Sequence, residues 1–292
     1  MVAFSDQKIV FVGAGSMAEA IVRGLLGTGV AKPEQLFAIN RTNELKTAQL
    51  RDLYHVHATC EPAIAETWIR EADIVVVGMK PQNAASSLLA YKSLLNDRQL
   101  FISIIAGLSI DTIQDLLGGS IPIVRTMPNT SSHIGLGATG ISFSNSVSEN
   151  QKELTITLFS AIGETVIVEE TLINTVTSIS GSGPAYLYYV MEAMIAAGME
   201  GGLTAETAKL LTVQTVLGAA SMVRHTGEHP AELRRKVTSP NGTTQAAITR
   251  LEEYRFQEAL QNAIARCAER ADELRDMISR DAHSLQLGGN SQ

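Results

Sequence analysis

The chain has 292 residues, 45% of them hydrophobic and 18% charged, with a formal net charge of −7; a polymer of this length and apolarity buries a sizeable core and accommodates two domains of ordinary size. The acidic balance argues against a general binder of nucleic-acid backbones, which needs basic surface, and no apolar run reaches the ~18 residues of a membrane span. Two cysteines, Cys60 and Cys267, form neither a metal-ligand spacing nor a disulfide framework, so no metal is expected and a reducing cytoplasm is the expected setting.

The predicted elements begin with KIVFVG, a short apolar run that reads as a buried strand. It continues into VFVGAGSMAEA, which sets Gly13, Gly15 and Ala18 in a G-x-G-x-x-A spacing between strand and helix. The first glycine permits a tight turn, the second lets a pyrophosphate approach the backbone, and the small third residue allows close helix–strand packing. The helix N-terminus, at Ser16 and Met17, then offers amides and positive potential to an anion. In this placement the pattern points to a dinucleotide-binding fold.

LFAIN is the second predicted strand. An NAD-specific fold commonly ends it in an acid for the ribose hydroxyls, whereas here it ends in Asn40, Arg41 and Thr42, with no acid until Glu44. A guanidinium suits a 2′-phosphate and a carboxylate would repel it. NADPH is therefore the favoured cofactor, with NADH left open. DIVVVGM, LFISIIAG and IPIVRTMPN follow as strands, and their carboxyl ends carry Met79, Lys80 and Pro81, then Ala106 and Gly107, then Asn129. Ligands in this architecture lie beyond the carboxyl ends of strands, so all three turns are candidate walls of the cofactor site. ATGISFS and TVIVEE complete the series, and the near-continuous Ile and Val content predicts a mostly parallel sheet covered by helices on both faces.

The character changes after Glu170. Residues 1–170 read as an α/β Rossmann domain, 171–281 as an all-helical domain, and 282–292 as a flexible tail. PAYLYYVMEAMIAAG opens on Pro184, suited to a first helical turn, and is apolar nearly all round, which predicts burial between layers or subunits. Helix breaks are expected at Gly198–Gly202, Gly227–Pro230 and Ser239–Thr243. His225 and His229 lie four apart in RHTGEHP, but Gly227 and Pro230 argue against the shared helix face a metal pair would use. In VTSPNGTTQAAI, Val237–Ile248, Ser239 is expected to cap a helix with Pro240 in its first turn. The amides of Asn241, Gly242 and Thr243 would then lie near its positive end.

Taken together, GAGSMAEAI, MKPQ, AGLSI, RTMPNT, SISGSGPAY and VTSPNGTTQAAI give a chain that resembles the pyrroline-5-carboxylate reductases over nearly its whole length. The last two motifs, in that order in a helical second domain, are the most specific. The resemblance implies reduction of the cyclic imine Δ1-pyrroline-5-carboxylate to L-proline by NAD(P)H, the final step of proline synthesis. It further implies a homodimer interlocked through the helical domain, with a larger ring of dimers left open, and an active site between one subunit's cofactor and the other's helical domain. Carried over residue by residue, it assigns substrate binding to Ser239, Asn241, Gly242, Thr243 and Thr244, and places Thr244 beside the reacting centre as the orienting catalytic residue. One familiar form of the motif has glycine where this chain has Asn241. Asn tolerates a left-handed backbone best after Gly, so the turn is expected to survive. Two other readings compete. A 3-hydroxyacid-type, NADP-dependent oxidoreductase would want a Lys on the interdomain helix, and Gly181–Gly198 contains none. A non-catalytic nucleotide-sensing regulator would show a decayed substrate turn, and SPNGTT is nearly intact.

Overall fold

Ile9–Val12 forms the central strand β1, and all four residues are buried. Side chains alternate across a strand, so Ile9 and Phe11 enter one apolar core while Val10 and Val12 enter another on the opposite face. A strand buried on both faces needs helices above and below it, and the chain supplies them in alternation. The computed structural model describes residues 7–118 and 121–289. Its strands continue as β2 (Leu36–Ile39), β3 (His57–Thr59), β4 (Ile74–Val77), β5 (Leu100–Ser103), β6 (Ile123–Met127), β7 (Gly137–Phe143) and β8 (Gly163–Ile167). Among the described residues they form one sheet in the order β3-β2-β1-β4-β5-β6-β7-β8. All pairings are parallel except β6 with β7. The order reverses direction between β1 and β4, which is where a doubly wound sheet opens a ligand crevice.

The covering helices of this part are α1 (Ser16–Gly27), α2 (Glu44–Tyr54), α3 (Pro62–Glu71), α4 (Ala84–Tyr91), α5 (Ile110–Leu117) and α6 (Glu149–Ser160). A short α7 (Ile173–Val176) runs into one π-helical stretch at Thr177–Gly181. The strand missing from the sequence reading is β3. Its three residues are too few to show an alternation, and it is held at the sheet edge by the His57 ring stacked on Phe37 with centroids 4.5 Å apart.

The chain divides into two compact units: residues up to Ser182 together with those from Cys267 onward, and Gly183–Arg266. The compact first unit runs past the expected boundary of 170 as far as Ser182, with Ile173, Asn174 and Ser178 buried in it. The second unit holds α8 (Gly183–Glu200), α9 (Ala205–Thr226), α10 (Pro230–Lys236), α11 (Thr243–Glu253) and the start of α12 (Phe256–Gly289). The rest of α12 belongs to the first unit, where Ala271, Ile278 and Ala282 are buried. The segment read as a flexible tail is thus helical through Gly289, and Gln286 Nε2 donates to Asp115 O at 2.5 Å; residues 290–292 of it lie outside the described residues.

Within the second unit, α8 and α9 approach closely at Gly198, where a Cβ would lie 3.0 Å from that of Ala208. Only Ala208 and Thr212 are buried there, while Leu187, Tyr189, Leu210 and Leu217 are more than half exposed. No helix among the described residues is long and apolar enough to cross a membrane.

Candidate active site

The turn after β1 is shaped by two glycines with different jobs. Gly13 has φ +100°, and a Cβ on it would lie 2.9 Å from the backbone of Gly78 and Met79. The amides of Gly13 and Ala14 both donate to Ile39 O at 3.0 Å, which pins the turn between β1 and β2. Gly15 is the extended N-cap of α1, has no side-chain cap bond, and has nothing within 4 Å of where its Cβ would stand. The first-turn amides of α1 lack acceptors within the helix, so the open space above Gly15 is where an anion would meet them, beside Ser16 and Met17.

Beyond the switch point lies a cleft of about 470 Å³, lined on one side by Gly13, Asn40, Arg41 and Met79. Asn40 donates its amide to Thr59 O at 3.1 Å, and its side-chain oxygen accepts the amides of Thr42 and Asn43 at 3.3 and 3.1 Å. That oxygen builds the loop on which the exposed Arg41 projects. Its lining also takes in Cys60, then Ala65 and Glu66 on α3, Asn83 at the N-cap of α4, and Ser87 and Tyr91 on α4 itself. These α3 and α4 residues carry no motif; their only sequence signal is the four-residue spacing of Asn83, Ser87 and Tyr91 after the MKP turn. An open glycine-capped helix N-terminus, a tight turn that only a glycine at 13 can make against the Gly78–Met79 backbone, and a guanidinium at the β2 end fit a dinucleotide.

The remaining candidates of the first unit divide. Met79 lines the cleft, while Lys80 and Pro81 do not; they open the short turn of helix at Pro81–Asn83 that returns to it at Asn83. Ala106 and Gly107 follow β5, but neither lines this cleft. Gly107, at φ +78°, is packed under α12, with Ile278 Cδ1 3.1 Å from where its Cβ would be. Asn129 is buried, and both ends of its amide are engaged within the fold: Nδ2 donates to Ser180 O at 3.0 Å and Oδ1 accepts the amide of Ala138 at 3.2 Å. It clamps the π-helical stretch to the β6 end, a tertiary role that no strand-end rule reveals.

In the second unit, the turn Val237–Gly242 leads into α11. Asn241 adopts φ +58°, the left-handed backbone expected of it, and its amide donates to Gln245 Oε1 at 2.6 Å. The Gly242 amide donates to Ser239 O at 3.0 Å, and a Cβ on Gly242 would lie 2.4 Å from Ser239 Oγ. The helix begins later than the sequence suggested: Gly242 is its N-cap, Thr243 its first residue, and Ser239 and Pro240 precede it. The left-handed step at Asn241 is the reason, since it turns the chain before helical bonding can start. The first-turn amides are those of Thr243 and Thr244 rather than Asn241 and Gly242, with Thr244 half-buried and Ser239 and Thr243 exposed.

Nearby, His229 caps α10 by accepting the Ala231 amide on Nδ1 at 3.2 Å, while Glu228 pairs with Lys236 at 2.5 Å. No cluster of three or more His, Cys, Asp or Glu that could hold a metal occurs among the described residues.

A dinucleotide cleft at the switch point of a doubly wound sheet, followed by a helical unit with its own polar turn, defines an NAD(P)H-dependent oxidoreductase. Residues 8–107 match the family model described as NADP oxidoreductase coenzyme F420-dependent, and residues 170–274 match pyrroline-5-carboxylate reductase dimerisation. Pyrroline-5-carboxylate reductase 2 of Bacillus subtilis (strain 168) is 40% identical, covering 94% of this chain and 97% of its own. A solved pyrroline-5-carboxylate reductase from Coxiella burnetii is 38% identical with a TM-score of 0.84, covering 92% of this chain and 98% of its own. The Plasmodium falciparum pyrroline carboxylate reductase solved with NADP bound is 29% identical with a TM-score of 0.83, at the same coverage of 92% and 98%. The chain belongs to the pyrroline-5-carboxylate reductase family.

Proposed function

We propose that this protein reduces Δ1-pyrroline-5-carboxylate to L-proline in the cytoplasm, prefers NADPH to NADH, and works as a homodimer. The observation that carries the reading is shared by α1 and α11. Each is capped by an extended glycine, Gly15 or Gly242, with no side-chain cap bond. By contrast α2, α5, α6 and α9 are capped by the side chains of Asn43, Ser109, Ser148 and Thr204. The caps of α3 and α4, Glu61 and Asn83, make no side-chain cap bond either, but each carries a side chain over the first turn, whereas a glycine cap leaves the first amides of α1 and α11 open to a ligand anion.

In this reading Gly13, Gly15, Ser16 and Met17 hold the pyrophosphate, and Asn40 and Arg41 the adenosine end. The amides of Thr243 and Thr244, with Ser239, Asn241 and Gly242 shaping the turn, hold the substrate carboxylate. The bound nicotinamide supplies the hydride that C5 of the ring accepts. The Thr244 hydroxyl oxygen accepts a hydrogen bond from the iminium N–H of the ring and so holds C5 towards that hydride; such orientation contributes several kcal/mol to catalysis. A Thr hydroxyl holds its proton too tightly to act as a general acid near neutral pH, so the substrate entering as its iminium brings the proton that the product amine keeps.

Dimerisation is supported by the apolar surface of α8 and α9, since Tyr189 and Leu210 are 77% and 67% exposed and contiguous apolar patches mark interaction surfaces. Following NADPH oxidation with pyrroline-5-carboxylate tests the activity, and absence of turnover by folded protein with either nicotinamide rules it out. Light scattering behind size exclusion tests the assembly, and a monomeric mass would overturn the dimer.

A further inference from the structure

We propose that Tyr91 is a specificity-determining residue for the cofactor's 2′-phosphate, donating its phenol O–H to the phosphate that Arg41 faces from the other wall. This rests on the proposed role of Arg41 and extends it to a residue that carries no motif.

Arg41 at the end of β2 and Tyr91 at the end of α4 line the same cleft. Ser87 and the N-cap Asn83 share the lining stripe with Tyr91, about one and two turns nearer the start of α4, because side chains four apart lie on one helix face. Tyr91 therefore stands at the far end of that stripe, about 12 Å along the helix from Asn83. A phosphate dianion presents three terminal oxygens, and one guanidinium cannot satisfy them all. Tyr91 is the longest-reaching O–H donor on the α4 wall. Its phenol is half-buried and packed against the apolar core of its face, so its ring is held in place. Burial raises its pKa, with the Arg41 charge opposing from across the cleft, so the hydroxyl keeps its proton and remains a donor. A neutral donor also leaves NADH nearly unaffected, since no charge is left unpaired when the phosphate is missing. Glu66, the carboxylate lining the cleft, is exposed to water.

The test is calorimetric titration of 2′,5′-ADP and of 5′-ADP into the wild type, Tyr91→Phe and Arg41→Ala, alongside steady-state KM values for NADPH and NADH. Tyr91→Phe keeps the ring and removes the donor. It is expected to weaken 2′,5′-ADP about ten-fold, as for a hydrogen bond to a charged group, and to leave 5′-ADP within about two-fold. The KM for NADPH should rise while that for NADH holds. Equal losses for the two nucleotides would make Tyr91 a packing residue, and no loss for either would remove it from the site. If Arg41→Ala selectively weakens 2′,5′-ADP but Tyr91→Phe does not, only the Tyr91 role is overturned. If Arg41→Ala is unselective, the phosphate reading of this cleft fails and takes the Tyr91 role with it.

Discussion

Glu170 Oε1 accepts two hydrogen bonds, from Arg125 Nη1 at 3.1 Å and from the Ile110 amide at 2.7 Å, and so joins β6 to the start of α5. Arg125 Nη2 donates to Asn174 Oδ1 at 2.9 Å, and Asn174 Nδ2 donates to Asp272 Oδ1 at 2.7 Å on α12. The chain of bonds fastens α7 and the middle of α12 to the sheet. Burial holds the Arg125 guanidinium below its ordinary pKa, and the Glu170 charge opposes that. Glu170→Ala would leave a buried cation unpaired. Removing a partner of a buried pair costs several kcal/mol, and the partial exposure of Glu170 reduces this to about 2–3 kcal/mol. Urea unfolding measures it, with Glu170→Gln expected to lose about half as much because an acceptor remains; equal midpoints for all three proteins would refute the clamp.

Acid stability should respond to Glu19. Burial by itself would raise this carboxyl, but its bond to Lys46, the Lys46 charge and the Tyr54 O–H at 3.1 Å prevail and hold it below the ordinary 4.5. A carboxyl with a depressed folded-state pKa contributes stability above its unfolded value, and loses it as the pH falls through the folded one. The urea midpoint of the wild type should therefore fall more steeply below about pH 4.5 than that of Glu19→Gln. Parallel pH profiles would show that the pair contributes nothing to folding.

The two glycines of the first turn should separate folding from binding. Gly13→Ala forces a side chain into a left-handed backbone and against the Gly78–Met79 peptide, and is expected to cost about 2–4 kcal/mol. Gly15→Ala projects into open space, so thermal denaturation should register about 1 kcal/mol or less. Its methyl would stand at the proposed pyrophosphate site, and fluorescence titration should show NADPH affinity lowered about ten-fold.

Asn241 provides a backbone test. Its φ of +58° suits Gly as well as Asn, so Asn241→Gly should leave stability within about 0.5 kcal/mol. Asn241→Val should cost about 1–2 kcal/mol and lower kcat/KM, because a β-branched residue resists the left-handed region. A Val variant of unchanged stability would mean that the turn adapts to another conformation.

Thr244→Ala should lower kcat or raise the KM for pyrroline-5-carboxylate while leaving NADPH titration unchanged, and Thr244→Ser should restore most of the loss by returning the hydroxyl. A Thr244→Ala variant that instead loses NADPH would move this residue to the cofactor site.

Local patterns were enough to read most of the fold and the two glycine-capped turns proposed to face ligands. Gly13 and Gly15 stand between an apolar run and a helix, and only a strand–turn–helix uses them that way. Asn241 announces a left-handed step because few other residues accept one. The α4 wall was illegible, because Asn83, Ser87 and Tyr91 become a site surface only when α4 is laid across from β2. Gly107 and Asn129, expected at the cofactor from their strand-end positions, also have packing partners that the sequence does not show. The structure shows Gly107 packed under α12 and Asn129 bonded to Ser180 and Ala138.

By itself, then, the sequence determined the parallel sheet, the nucleotide turn, the helical second part and the family, since each is written in periodicity or in backbone needs of residues close together. Tertiary structure alone decided where α11 starts, that residues from Cys267 onward return to the first unit, and which strand-end residues face a cleft. Those outcomes depend on packing between segments far apart in the chain, where burial and geometry override local preference.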